Sequence, residues 1–311
     1  MRMGNYNILL IFFNNLSRFK LVFNEIKKVK PKTLFLYQDG PREGKNDEEG
    51  IFACRKYAED NIDWECEVYK KYQKNNFGCD PSEYISQKWA FSIVDKCIVL
   101  EDDDVPCSDF FKFCWELLEK YENDTRFSII CGMNNLDTYN LDKGWDYFFT
   151  SSGCIWGWAS WRRNIDLWDE NYSWLDDPKK IEAIKRYFLN QKSFRKFLKL
   201  AKVRRKTGVP YYETILGVSQ MLNHQLNIVP TKNLISNIGN VGGVHTFNDR
   251  NLIPKKMRGL YFKKTFEISS PLIGPDFVSD DIEYKKKIYK MNNLNLIEKI
   301  FLKLRKVFRK L

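Results

Sequence analysis

Histidine is almost missing from this 311-residue chain, with only His224 and His245 present. No two cysteines form a Cys-x-x-Cys pair, and no cysteine–histidine group has zinc-ligand spacing, which excludes a zinc module. The eight cysteines, Cys54 to Cys154, all fall in the first half of the chain and read as reduced thiols. Long apolar runs are missing too. The first, Ile8 to Phe13, is too short for a membrane span and has no small-residue cleavage site after it, so it reads as a first strand and the chain as cytoplasmic. There is no internal repeat, no low-complexity linker and no recognisable nucleic-acid-binding module.

What is present is a globular composition, 43% hydrophobic, with a formal net charge of +11 and a pI near 9.1. That excess suits an anionic partner: nucleic acid, a membrane surface or a phosphorylated substrate. With no nucleic-acid module, the second and third remain.

The first third alternates apolar runs with amphipathic stretches: "YNILLIFF", "LSRFKLVFNEIKKV", "KTLFLYQDG", "GIFACRKYAEDN", "WECEVYK", then "SEYISQKWAFSIV" before "KCIVL". Continuous apolar strands separated by helices predict an α/β fold, a Rossmann-like and mostly parallel central sheet with flanking helices. In such sheets ligands bind beyond the carboxyl ends of the strands, where "YQDG" and "EDDD" both fall. Ser108 is the expected N-cap of the following helix. From Asp146 the chain turns dense in Trp, Tyr and Gly, which predicts a loop-rich stretch of core and binding surface, with faces suited to sugar rings.

"CIVLEDDDVPCSDFF", residues 97–111, sets Glu101, Asp102, Asp103 and Asp104 side by side at a strand end. Adjacent carboxylates repel, and burying them unpaired costs several kcal/mol each, so the run calls for open water or for a cation. Hard cations such as Mn²⁺ or Mg²⁺ take carboxylate oxygens, and Mg²⁺ is usually held by one or two carboxylates together with substrate phosphates.

Five motifs in order carry a resemblance: Arg18 in "NNLSRFK", "YQDGPR" at 37–42, the acidic run, "WGWASWRR" at 156–163 and "NLISNIGNVGGVHTF" at 233–247. Over about residues 6 to 250 the chain resembles the GT-A glycosyltransferases, specifically bacterial nucleotide-sugar transferases distantly similar to the Golgi N-acetylglucosaminyltransferase that starts N-glycan branching. The resemblance implies a GT-A type fold for residues 1–250, with 251–311 as a C-terminal extension. It also implies a UDP-sugar donor and Mn²⁺ or Mg²⁺. Asp39 would read the base, Arg18 would lie near the nucleotide, Glu101 and Asp102 would neighbour ribose and diphosphate, and Asp103 would bind the metal. Asp104 falls outside the family's triplet. His245 matches a glycine-rich segment that closes over the donor, whereas His224 reads as a surface residue. Trp156 and Trp158 are candidates for the sugar site, with core packing as the alternative.

An inverting transfer needs a carboxylate base for the acceptor hydroxyl. The family's aromatic–Asp pair corresponds to Tyr212 and Glu213, making Glu213 the expected base, with Asp177 (or Asp176) in "SWLDD" in reserve. The acceptor is expected to be a lipid-linked or cell-surface glycan. The segment "NLNLIEKIFLKLRKVFRKL" has an apolar stripe flanked by Lys and Arg, the pattern of a C-terminal amphipathic helix lying on an anionic membrane surface. A nucleotidyltransferase would share sheet and acids but needs a glycine-rich, basic loop after its first strand, which "FFNNLSRFK" lacks. A non-catalytic membrane-bound scaffold is the other rival.

Overall fold

The computed structural model describes residues 4–239 and 259–292. Alternation along the central strands sorts their side chains to two faces. Ile8 and Leu10 of β1 (Gly4–Phe12), Leu34 and Leu36 of β2 (Pro31–Gln38) and Ile98 and Leu100 of β4 (Lys96–Glu101) enter one core. Leu9, Ile11, Phe35, Tyr37, Cys97 and Val99 enter the other. Such strands are covered on both faces. The first core is closed by α1 (Leu16–Val29), through Phe19, Phe23 and Ile26, by α2 (Glu48–Asn61), and by α4 (Ser108–Lys120), through Phe110, Phe113 and Leu117. The second is closed by α3 (Cys79–Ile93) and α8 (Tyr212–Leu222), through Phe91, Ile215 and Val218. Each fully buried side chain of this size contributes about 1.5–3 kcal/mol.

The sheet has eight strands in the order β3-β2-β1-β4-β8-β6-β9-β7, with β3 Glu67–Tyr72, β6 Phe127–Cys131, β7 Tyr147–Thr150, β8 Trp158–Trp161 and β9 Leu226–Pro230. β3, β2, β1 and β4 are parallel, and β9 is parallel to β6. Only β8 and β7 run against the rest. The expected α/β architecture with a mostly parallel central sheet is the one observed. A separate antiparallel pair, β5 (Asp104–Pro106) with β10 (Ile235–Asn237), crosses the carboxyl end of β4.

Two local expectations differ from the structure. Cys107, not Ser108, is the N-cap residue of α4, and Ser108 is its first helical residue. The aromatic segment forms β7 and β8 with short helical turns, including α5 (Arg162–Ile165), and Trp158, Trp161, Trp168 and Trp174 are buried in it. The described part of 251–311 packs against the rest of the chain. Phe262 N–H donates to Asn237 O at 2.9 Å, Asp281 N–H to Phe149 O at 2.9 Å, and a last helix, α9 (Ile282–Asn292), buries Tyr284 and Ile288 in the second core. The remaining helices are α6 (Pro178–Lys185) and α7 (Gln191–Thr207). The stretch 293–311, with its amphipathic pattern, lies outside the described residues. No helix among the described residues is long and apolar enough to cross a membrane. All eight cysteines are free thiols.

Candidate active site

The parallel strands β1, β2 and β4 end together, and a cavity of about 690 Å³ opens there, within the range of small-ligand sites. Its wall includes Arg18, Asp39, Glu101, Asp102, Asp103 and Glu213. Among the candidate site residues read from the sequence, the fold brings these six together, and Trp156 joins them.

Asp39, at the end of β2, is buried, and its carboxylate is well supplied with donors. It accepts from the backbone N–H of Gly40 (2.9 Å), Phe77 (2.9 Å) and Gly78 (2.9 Å) and from Asn76 Nδ2 (2.9 Å). These bonds tie residues 76–78 to the strand end, so its visible work is to shape the rim. Beside it Asp47 accepts from Arg42 Nε (2.8 Å) and Nη2 (2.7 Å) and from Asn14 Nδ2 (2.7 Å). The Arg42 guanidinium holds the Asp47 carboxyl below its ordinary range.

The floor is built differently. Asp102 accepts from Phe13 N–H at 3.1 Å. Burial, and then repulsion from Asp103, pushes its carboxyl up to about 7. Asp103 is raised, again chiefly by burial, and Arg18 is the positive group that opposes the rise. Its Oδ1 accepts from Asn237 Nδ2 at 3.1 Å, while its Oδ2 lies so close to Gly239 that any Cβ there would collide with it. Glycine at 239 is therefore what lets the acid keep its place. Glu101 meets Glu83 of α3, a residue sequence reasoning passed over. Burial raises both, Glu83 to about 8, and each carboxyl lies within reach of the other. The Cys79 thiol donates to Glu83 Oε1 at 3.2 Å.

Asp104 does not face the cavity. It is completely buried, accepts from Gly157 N–H (2.9 Å) and Asn237 Nδ2 (2.9 Å), and joins β10 to the turn before β8. Gly157 adopts φ +63, and a Cβ there would strike Ile235, so that turn requires glycine.

Other expectations need correction. Trp158 is 1% exposed, sits in β8 opposite Val99 and Cys131, and packs on Phe91. Strand alternation turns it into the core, and Trp156, two residues earlier, lines the cavity instead with its ring 5.2 Å from that of Tyr261. Asp177 caps α6, accepting from Lys179 N–H at 2.8 Å, while Asp176 pairs with Arg205 at 2.6 Å; neither belongs to the cavity wall. Glu213 does, on the first turn of α8 beside buried Tyr212. His245 lies outside the described residues.

The missed residues Glu83, Asn237 and Tyr261 left uneven traces. Ser82, Glu83, Ser86 and Gln87 form a polar patch at helical spacing that α3 buries, a signal open to a reader of "PSEYISQKW". Tyr261 carried none.

The floor is dominated by carboxylate oxygens, the chemistry of a hard divalent cation. Among the described residues no three Asp, Glu, Cys or His side chains converge tightly enough to chelate a metal unaided. Asp103 sharing a cation with phosphate oxygens of a substrate fits both facts.

No family model matches the chain, and no curated protein does. Among solved structures it is similar to apo UDP-glucose pyrophosphorylase (9% identity, TM-score 0.33, covering 74% of this chain and 93% of that one). It is also similar to UDP-glucose pyrophosphorylase complexed with UDP-glucose (9% identity, TM-score 0.28, covering 52% and 78%). At such scores the overlap carries no argument about chemistry.

Proposed function

We propose that the cavity binds a nucleotide sugar, with UDP as the expected nucleotide, and that the protein is a metal-dependent inverting glycosyltransferase. The observation that supports this most is the buried acidic floor at the carboxyl ends of β1 and β4, with Arg18 against it and Arg42 on the same wall. Carboxylates raised by burial favour a cation, and two arginines beside them favour a diphosphate. A bound Mn²⁺ or Mg²⁺ supplies Lewis-acid compensation for charge gathering on the departing diphosphate. Asp103 would hold that cation, with Asn237 and Gly239 fixing the carboxylate. Trp156 and Tyr261 offer apolar ring faces to the sugar. Glu213 takes the proton of the acceptor hydroxyl as its oxygen bonds to the anomeric carbon and the bond to the diphosphate oxygen breaks.

The link from β1 to α1 favours this over nucleotidyl transfer. It is only Phe13, Asn14 and Asn15, with Asn15 Oδ1 capping α1 by accepting from Arg18 N–H at 3.1 Å, and it contains no glycine. The acceptor proposed is a lipid-linked or surface glycan.

The test is a donor screen by mass spectrometry, purified protein with Mn²⁺ and individual nucleotide sugars. Release of nucleoside diphosphate with sugar passed to an acceptor or to water is expected. Pyrophosphate release from UTP and a sugar 1-phosphate, with every nucleotide sugar left intact, overturns the reading.

A further inference from the structure

The chain's positive charge is concentrated far from the cavity motifs. Residues 183–212 contain ten Lys and Arg and no Asp or Glu, a local charge of +10 against +11 for the whole chain. Most of it stands on α7, which docks through Phe194, Phe197 and Ala201, with Phe197 stacked on Trp174 at 6.1 Å. Arg205 pairs with Asp176, and Arg204 lies over the Tyr211 ring at 4.2 Å. Lys192, Arg195, Lys196, Lys199, Lys202 and Lys206 are exposed, and among the described residues none of them makes an ion pair. At 100° per residue these six share one side of the helix, along about 21 Å of axis.

Two apolar side chains interrupt the basic field. Val203, 52% exposed, falls amid the lysines, and Leu200, 44% exposed, lies at their edge; Leu189, 43% exposed, precedes the helix. A face that met only a soluble polyanion would gain nothing from them, whereas a bilayer takes up both, the lysines at the headgroups and the apolar groups beneath. Tyr289 of α9 meets Asn190 and Ser193 at the start of α7 and so helps hold the helix in place.

We infer that the exposed face of α7 is a docking surface for an anionic lipid bilayer. This does not depend on the chemistry of the cavity. The full chain is floated with phosphatidylcholine vesicles with and without phosphatidylglycerol, at low and high salt, alongside two variants: K192E/K199E/K206E and L200S/V203S. All five substituted positions are exposed and none of their buried neighbours changes, so both variants should melt like the parent. The parent is expected to float only with phosphatidylglycerol, and salt to weaken it. The triple variant should lose about a hundredfold or more in partitioning, since each lysine near such a surface contributes about 1 kcal/mol. The double variant should lose severalfold while keeping its salt response. A triple variant that partitions like the parent overturns the inference. So does a double variant indistinguishable from the parent when heparin strips the parent from vesicles, because α7 would then be a site for soluble polyanions.

Discussion

Two groups of acids, one at the cavity rim and directly behind it and the other on its floor, are treated in opposite ways. At the rim, Asp39 and Asp47 receive nearly every donor their oxygens can use, from backbone amides, Asn14, Asn76 and Arg42. On the floor, Glu83, Glu101, Asp102 and Asp103 face one another with few donors, and burial raises all four. A carboxylate saturated by its own chain shapes a structure and has little left to give a ligand. One buried among like charges has a standing need for a proton or a cation. The contrast separates scaffold from chemistry without reference to any relative.

The sharpest way to break the contrast is on the floor. Asp103→Ala should lower transfer by about 10³-fold, on the scale of losing a key electrostatic stabiliser, with melting unchanged or raised because a strained buried charge is gone. Turnover near normal in that variant, still responsive to Mn²⁺, returns Asp103 to the scaffold.

Glu213→Gln should cost about 10²-fold or more in turnover while donor binding by calorimetry persists, the usual range for a general base. Asp177→Asn, which touches only the cap of α6, serves as its control and should keep activity while losing a little stability.

At the rim the expected damage is to stability. Asp39→Asn swaps one carboxylate oxygen for a donor that faces backbone N–H groups, a cost of about 1–3 kcal/mol. That should lower the melting temperature by several degrees and weaken donor binding only through the displaced loop. Loss of uridine selectivity with melting unchanged would instead make Asp39 a base reader.

The smallest effect concerns pH. Because Glu83 is raised to about 8 in the folded chain, the folded state holds a proton that the unfolded state releases near pH 4.3. Stability from this group therefore falls as pH rises between those values. For Asp47, lowered by Arg42, the sign is reversed: its contribution is present above about pH 4 and is lost as pH falls through the folded value. Glu83→Gln should flatten the decline between about pH 4.3 and 8 in a series of thermal melts and leave the Asp47 loss at lower pH alone. An unchanged slope in that window would mean that Glu83 holds no extra proton in the folded chain.

How much of this was legible in the sequence follows from which physics decided each element. β1, β2 and β4 are buried on both faces and spaced by amphipathic helices, so their period announces the parallel half of the sheet. β8 and β7 are short and antiparallel, and aromatics and glycine stand where a strand pattern would show; their pairing is set by contacts far along the chain. The placement of Trp158 turned on strand phase, because "WGWASW" puts 156 and 158 on opposite sides of a positive-φ glycine. Four acids in a row looked alike, but the turn after β4 aims Asp103 at the cavity and Asp104 at Gly157. Asp177 could not be told from a base until it was seen capping α6. The mutual approach of Glu83 and Glu101 depends on how α3 crosses the sheet, which no local pattern encodes.

Asn237 leaves an evolutionary consequence. One amide group donates its two hydrogens to Asp103 and Asp104 while its oxygen accepts from the N–H of Gly239, so both of its donors are committed to buried acids. Aspartate there would add another carboxylate to a floor already crowded with them, and alanine would take a donor from two buried acids at once. A lineage carrying this arrangement can drift at many cavity positions, but here a change that harms the fold and one that harms the chemistry are the same mutation.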